Sequence, residues 1–273
     1  MKAPSGRTTL VIPCYNEAER LPVGDYRAFL VGTEAVDLLF VDDGSTDGTY
    51  DILEEMSDSG GDRVRALRLP ENRGKAEAVR AGILAALEDD PRYVAFWDAD
   101  LATPLDTVLE FRETLELNDE LDWVLGSRVR LLGRRIDRKV HRHYLGRAMA
   151  TVFSAWLHLP VYDTQCGAKM FRVSEELRAI FAEPFVTGWL FDVELLARLI
   201  RSRGDIAEVR RSVIECPLPR WIDVKGSKLG VRSAGPVLRD LFRLRLAYRG
   251  SLGRGARRRP GVDSARRGPG VTP

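Results

Sequence analysis

Cysteine is scarce: Cys14, Cys166 and Cys216 are the only three in 273 residues. Their odd number and wide spacing exclude a disulfide frame and a zinc pattern, and they read as reduced thiols. Long apolar runs are also missing. The longest candidate, Ala148 to Val161, is interrupted by Ser154 and His158 and falls short of the ~20 residues that span a bilayer. No basic segment followed by a hydrophobic signal core opens the chain, and Thr8–Ile12 is short enough to be a strand. The expected location is therefore cytoplasmic, with any membrane association peripheral and on the cytoplasmic face. Neither the Walker phosphate loop nor the Gly-x-Gly-x-x-Gly dinucleotide fingerprint occurs, which excludes those modes of nucleotide recognition.

The composition, 44% hydrophobic and 30% charged, is that of a soluble globular chain. The net charge of +2 hides an uneven distribution. From Arg239 onward about ten arginines face only Asp240 and Asp263, so the rest is mildly acidic. The Gly-, Pro- and Arg-rich end has little to bury and is expected to be disordered over 249–273. It suits a solubilising end or a tether to an anionic membrane equally well. With no repeats and no earlier linker, one domain is expected over 1–248, its two halves dividing near residue 128.

Up to Arg128 strands and helices alternate, which predicts an α/β fold with a mostly parallel sheet flanked by helices. Expected strands are 9–13, 37–41, 64–69, 93–97 and 122–125; expected helices are 48–56, 75–87 and 104–117. Beyond Arg128 the alternation gives way to a basic loop (129–140), a helix at 141–159, the segment Gln165–Phe171, a helix at 191–201, a strand near 209–216, the loop Gly226-Ser227-Lys228 and a last helix ending near Tyr248. The helix at 141–159 mixes basic residues with Tyr144, Phe153 and Trp156. That mixture suits a helix lying in lipid headgroups or an ordinary core helix with a wet face.

Asp98-Ala99-Asp100 closes the apolar run Tyr93–Trp97. Two carboxylates one residue apart at a strand end can hold a hard divalent cation against a diphosphate. Thr103 as N-cap, Pro104 at the first helical position and Asp106 in the first turn predict a helix start just beyond. Parallel strands end on one edge, so Pro13, Tyr15, Glu17, Asp42, Asp43, Asp98 and Asp100 are expected to line one crevice, where open α/β sheets place ligands. Acidic strand ends also cap helices, and any one of these carboxylates allows that reading. Lys75, after Arg73-Gly74, either offers a cation to a diphosphate or lies on a solvated helix face.

Four segments carry a resemblance when taken in order: Val11–Glu17 (VIPCYNE), Val41–Thr49 (VDDGSTDGT), Asn72–Lys75 (NRGK) and Asp98–Asp100 (DAD). Together they resemble family 2 glycosyltransferases of the GT-A, or nucleotide-diphospho-sugar transferase, fold. Asp163–Gly167 (DTQCG), Trp189–Leu196 (WLFDVELL) and Gly226–Leu229 (GSKL) are similar to dolichyl-phosphate glucosyltransferases and their prokaryotic relatives. The resemblance implies a nucleotide-sugar half over about 8–128 and an acceptor half, a helical elaboration, over about 129–248. It implies that Pro13, Tyr15, Glu17, Val41 and Asp43 bind the nucleoside, with Asp42, Lys75 and Ala99 also at the donor. Asp98 and Asp100 would hold Mg²⁺ or Mn²⁺ on the diphosphate. Arg128 and Lys228 would neutralise donor or acceptor phosphates, Gln165 would approach the metal or sugar, and Asp192 falls where the wider family has its catalytic carboxylate.

The implied reaction is inverting transfer of a hexose, glucose from UDP-glucose, to a polyprenyl or dolichyl phosphate at a membrane surface; no nucleic acid partner is implied. A phosphate acceptor is already anionic, which leaves Asp192 to orient the sugar, whereas an alcohol acceptor would make it a general base. The same motifs admit a soluble family 2 enzyme acting on a small molecule, glycan or protein, or a GDP-mannose-dependent polyprenyl-phosphate mannosyltransferase. The mannosyl relatives carry an Arg shortly before their Ser-Lys-Leu, where this chain has Ile222, and that favours glucose. A sugar-nucleotide pyrophosphorylase would want a Gly-rich loop in place of Pro13–Glu17, and a non-catalytic binding protein is expected to lose a metal carboxylate.

Overall fold

A computed structural model describes residues 6–137, 140–222 and 234–250. Of the expectations above, Lys228 and its loop, most of the tail, and the side chain of Tyr144 lie outside the described residues. The elements run β1 (Thr8–Cys14), α1 (Val23–Gly32), β2 (Val36–Asp42), α2 (Thr49–Gly60), β3 (Val64–Arg68), α3 (Lys75–Leu87), β4 (Tyr93–Trp97), α4 (Asp106–Glu116) and β5 (Trp123–Ser127). They continue with β6 (Arg135–Asp137), α5 (Val140–Leu157), β7 (Ala168–Arg172), α6 (Glu175–Ala182), α7 (Phe191–Arg203), α8 (Ile206–Ser212), β8 (Val213–Pro217), β9 (Arg220–Ile222) and α9 (Ala234–Ala247).

The main sheet has the order β3-β2-β1-β4-β7-β5-β8. Six strands are parallel, and β7 alone runs antiparallel, between β4 and β5. The parallel strands read as continuous apolar runs because helices cover both faces. Alternation along each strand sorts the side chains. Leu10, Ile12, Tyr93, Ala95 and Trp97 face α1, α2 and α4. Val11, Val94 and Phe96 face α3, α5, α6 and α7. A small parallel pair, β6 and β9, stands apart from the sheet.

Several boundaries correct the sequence expectation. Helix α4 begins at Asp106, and neither Thr103 nor Leu105 makes a side-chain cap; residues 104–105 form a turn into the helix, with Thr107 N–H on the Pro104 carbonyl at 3.2 Å. The strand expected from Val209 starts only at Val213, because Asp205 caps α8 through Ala207 N–H. The basic loop contains β6. Of the segment at 165–171, residues 168–171 enter the interior strand β7, and α1, whose apolar pattern is weak, has no counterpart among the expected elements.

The C-terminal helix is tied to the rest by buried polar groups. Asp240 of α9 accepts from Trp189 N–H at 2.9 Å. Tyr248 donates to Glu194 of α7 at 3.1 Å. Glu194 also accepts from Val186 N–H, Thr187 N–H and the Thr187 hydroxyl, and pairs with Arg198 at 2.8 Å. Arg198 in turn donates to the carbonyls of Ile180, Glu183 and Pro184. Every donor and acceptor in this buried node is matched, as burial of charge demands.

Candidate active site

Parallel strands and one antiparallel strand converge on a single edge. The C-terminal ends of β1, β2, β4 and β5 meet there with the N-terminal end of β7 and the N-termini of α3 and α7. That is why residues distant in sequence gather at this edge: 13–17, 41–45, 73–75, 98–100, 128, 165–169 and 192.

The turn after β2 fixes the first contact. Gly44 has φ +64°, and a Cβ there would lie 2.6 Å from Asn72 N and 2.7 Å from Glu71 Cα, so the turn lies flat on the 71–72 backbone. Asp43 then accepts from Arg73 N–H and Gly74 N–H, both at 2.8 Å. This anchors the start of α3, and the next residue, Lys75, forms an ion pair with Asp98. Burial raises the Asp43 proton affinity, against the pull of the two N–H groups. Asp42 is buried, accepts from Ser45 N–H at 3.2 Å and lies 3.5 Å from Arg68 Nε; it serves the turn. Val41 is likewise buried and faces Gly82 of α3, leaving only its main chain at the edge. Pro13 lies in register with Val41, and Tyr15 follows β1. Glu17 pairs with Arg20, and its N–H donates to Thr49 Oγ1 at 2.8 Å.

The Asp98–Asp100 corner is built tightly. Leu101 adopts φ +50°, Asp100 accepts from Ala102 N–H at 3.1 Å, and the Ala99 carbonyl accepts from the buried Tyr26 hydroxyl at 3.1 Å. Gly167 packs directly on Asp98: its carbonyl accepts from Asp98 N–H at 3.1 Å, and a Cβ on Gly167 would fall within 2.5 Å of the carboxyl group. Burial and then the Asp98 charge raise the proton affinity of Asp100. Burial alone would lower that of Lys75, but Asp98 and then Asp192 raise it. Two adjacent carboxylates in mutual repulsion, with one ammonium beside them, fit a hard divalent cation bound together with a diphosphate. Asp98 and Asp100 are the residues that would hold it, the phosphates and water completing the shell.

Beyond this corner, Arg128 binds Asp163 through two nitrogens at 2.6 and 2.8 Å and stacks over Trp221 at 5.3 Å. Asp163 and Tyr162 donate their N–H groups to Glu215 at 2.8 and 2.7 Å. Burial lowers the Arg128 proton affinity, yet Asp163 outweighs it and leaves the guanidinium firmly charged. Its two-toothed pairing makes Arg128 an anchor of the 162–167 loop as well as a cation near the edge. Gln165 Nε2 is buried with no hydrogen-bond partner among the described residues; as a donor it suits a phosphate or hydroxyl oxygen. Asp192, in the first turn of α7, is buried and pairs with Lys169 of β7 at 2.5 Å. Lys169 was missed by sequence reasoning, although a lone lysine in Ala168–Phe171 was a visible anomaly.

The model of glycosyl transferase family 2 matches residues 9–177. The chain belongs to that family. Dolichyl-phosphate beta-glucosyltransferase of Dictyostelium discoideum is 32% identical over 257 residues, covering 88% of this chain and 74% of the relative. The human protein of the same name is 32% identical over 266 residues, covering 90% and 77%. Polyprenol monophosphomannose synthase of Mycolicibacterium smegmatis is 26% identical, covering 76% and 77%. Among solved structures, mannosyl-3-phosphoglycerate synthase from Rubrobacter xylanophilus superposes with a TM-score of 0.66 at 17% identity, covering 94% and 78%. Glucosyl-3-phosphoglycerate synthase from Mycobacterium tuberculosis, in complex with Mn²⁺, UDP-glucose and phosphoglyceric acid, gives 0.61 at 20%, covering 88% and 80%. The fold is GT-A, with a mostly parallel sheet flanked by helices.

Proposed function

We propose that this glycosyltransferase moves glucose from UDP-glucose to a polyprenyl or dolichyl phosphate, with inversion at the anomeric carbon and with a divalent cation on the donor diphosphate. The observation that carries the reading is the gathering of Lys75, Asp98, Asp100, Gln165 and Asp192 at one sheet edge, in a chain about one-third identical over its length to dolichyl-phosphate glucosyltransferases. A cation held there supplies charge stabilisation to the departing diphosphate. Lys75 adds fixed positive charge beside it, already in place before reaction. The acceptor phosphate brings its own anionic oxygen, so the chain need not remove a proton from it. Asp192 then orients the sugar while that oxygen attacks opposite the leaving group. Mg²⁺ and Mn²⁺ both satisfy the carboxylate pair.

A membrane-borne acceptor is supported by the loop between β5 and β6. Leu132 is fully exposed and Leu131 half-exposed, with Arg134 and Arg135 also exposed beside them. An apolar tip collared by arginines complements an anionic lipid surface. Among the described residues no helix is long and apolar enough to cross a membrane. The test is to incubate the full chain with UDP-glucose, GDP-mannose and other nucleotide sugars, polyprenyl phosphate and Mg²⁺ or Mn²⁺, and to follow products by mass. Glucosyl-phosphoryl-polyprenol from UDP-glucose is the expected product. Transfer only to soluble acceptors, or a preference for GDP-mannose, would overturn the assignment.

A further inference from the structure

We propose that Lys169 is a positioning residue for sugar transfer, acting through Asp192. The inference rests on the reading that Asp192 meets the sugar or acceptor. Lys169 sits in β7 opposite Phe96 of β4 and is 1% exposed, with the buried Ala168, Met170 and Phe171 beside it in the strand. Its ammonium donates to the Cys166 carbonyl at 2.6 Å and to Asp192 Oδ1 at 2.5 Å, and lies 5.2 Å from the centre of the Phe96 ring. The lysine thereby joins the loop that carries Gln165 to the helix that carries Asp192.

A buried ion pair is a poor way to stabilise a core, since an apolar pair of similar volume often does as well or better. This one also stands where stability is not the only demand. The charges of Lys75 and Asp98 both act on Asp192, so the carboxylate borders the donor corner. With Oδ1 held by Lys169, the carboxylate is restrained, and the proposal gives Oδ2 to the ligand. Burial raises the proton affinity of Asp192, and Lys169 is the foremost charge opposing that rise, while the Cys166 carbonyl holds the ammonium itself. Removing Lys169 frees the carboxylate to rotate or to capture Lys75, and either outcome displaces the contact to the sugar. A misplacement of ~1 Å at a reacting centre costs on the order of 10²-fold in rate.

The experiment compares the full-length wild type, Lys169→Met, Asp192→Asn and the double variant K169M/D192N. For each, kcat and the KM for UDP-glucose are measured in transfer to polyprenyl phosphate and in UDP-glucose hydrolysis, with UDP binding and thermal unfolding alongside. K169M is expected to lower kcat by ~10²-fold with KM changed less than about threefold, a split that a merely structural role would not give. The double variant is expected to fall no further than D192N, the non-additivity of two groups acting as one. A K169M kcat within about threefold of wild type, or losses that multiply in the double variant, would overturn the inference. Should K169M fail to fold because Asp192 is left unpaired, the double variant removes both charges, and a kcat well below that of D192N overturns it instead. Full kcat in D192N refutes the role of Asp192, and the inference with it, but leaves the transfer reaction standing. No turnover of UDP-glucose by the wild type refutes the proposed function itself along with the inference.

Discussion

Gly167→Ala should slow turnover by ~10²-fold without unfolding the protein. The glycine lies immediately before β7, with its backbone pressed against the Asp98 carboxyl group. An added Cβ would fall within 2.5 Å of Oδ1, Oδ2 and Cγ, whereas ordinary van der Waals contact begins at 3.4 Å. The carboxylate must therefore retreat by about 1 Å or more, judged against a scale on which ~1 Å costs ~10²-fold. It cannot do so without weakening the Lys75 pair and its alignment with Asp100. The expected loss is ~10²-fold in kcat/KM, or about 2.7 kcal/mol of transition-state stabilisation. The fold should lose far less, since Asp98 and Lys75 are each about 40% exposed and such pairs contribute about 1 kcal/mol at most. The assay is UDP-glucose turnover against Mn²⁺ concentration, with UDP binding and a urea melt in parallel. The expected pattern is weaker metal dependence and slower turnover on an unchanged melt. Wild-type turnover and metal dependence in Gly167→Ala would refute the assignment of Asp98 to the donor corner.

Three further outcomes are expected. Glu194→Ala leaves Arg198 unpaired in the core and removes the acceptor of four donors, so it should cost ~3–5 kcal/mol in urea unfolding; a loss below about 1 kcal/mol would contradict the node. Burial pushes the Cys166 thiol up to about 11, so thiolate is scarce at pH 8, and maleimide should label Cys166 only after denaturation, as read by peptide mass mapping. Leu131→Asp with Leu132→Asp should weaken binding to phosphatidylglycerol vesicles and transfer to polyprenyl phosphate by about tenfold or more, consistent with the ~2.5–3.5 kcal/mol cost of a charge in lipid. The hydrolysis of UDP-glucose should remain unchanged, and equal vesicle binding would remove the loop from the membrane surface.

The proposed donor side was legible as a cluster at one sheet edge because its signals are local. An apolar run followed by carboxylates, at Val41–Asp43 and Tyr93–Asp100, states both the strand and the edge on which it ends. The proposed acceptor side depends on contacts that no window of sequence contains. Lys169 and Asp192 are 23 residues apart, and Arg128 and Asp163 are 35 apart; their pairing follows from β7 entering the sheet in the reverse direction. The N-cap assigned to Thr103 failed for a related reason: its carbonyl is taken by the Trp97 indole N–H at 3.0 Å, and the helix starts later. Helix α1 escaped notice because only Tyr26 and Phe29 of its residues are buried, too few to mark a period.

The reversed strand β7 has a consequence for the history of the chain during synthesis. When residues 8–128 have emerged, β4 has an unsatisfied edge and β5 has no partner on either side, because both wait for a strand made about 40 residues later. Exposed strand edges recruit other strands, so the interval before β7 arrives is when the nascent sheet is most open to mispairing. The strand that ends this interval also delivers Gln165 and Lys169. The joining of β4 to β5 and the delivery of these two residues to the site are therefore one event.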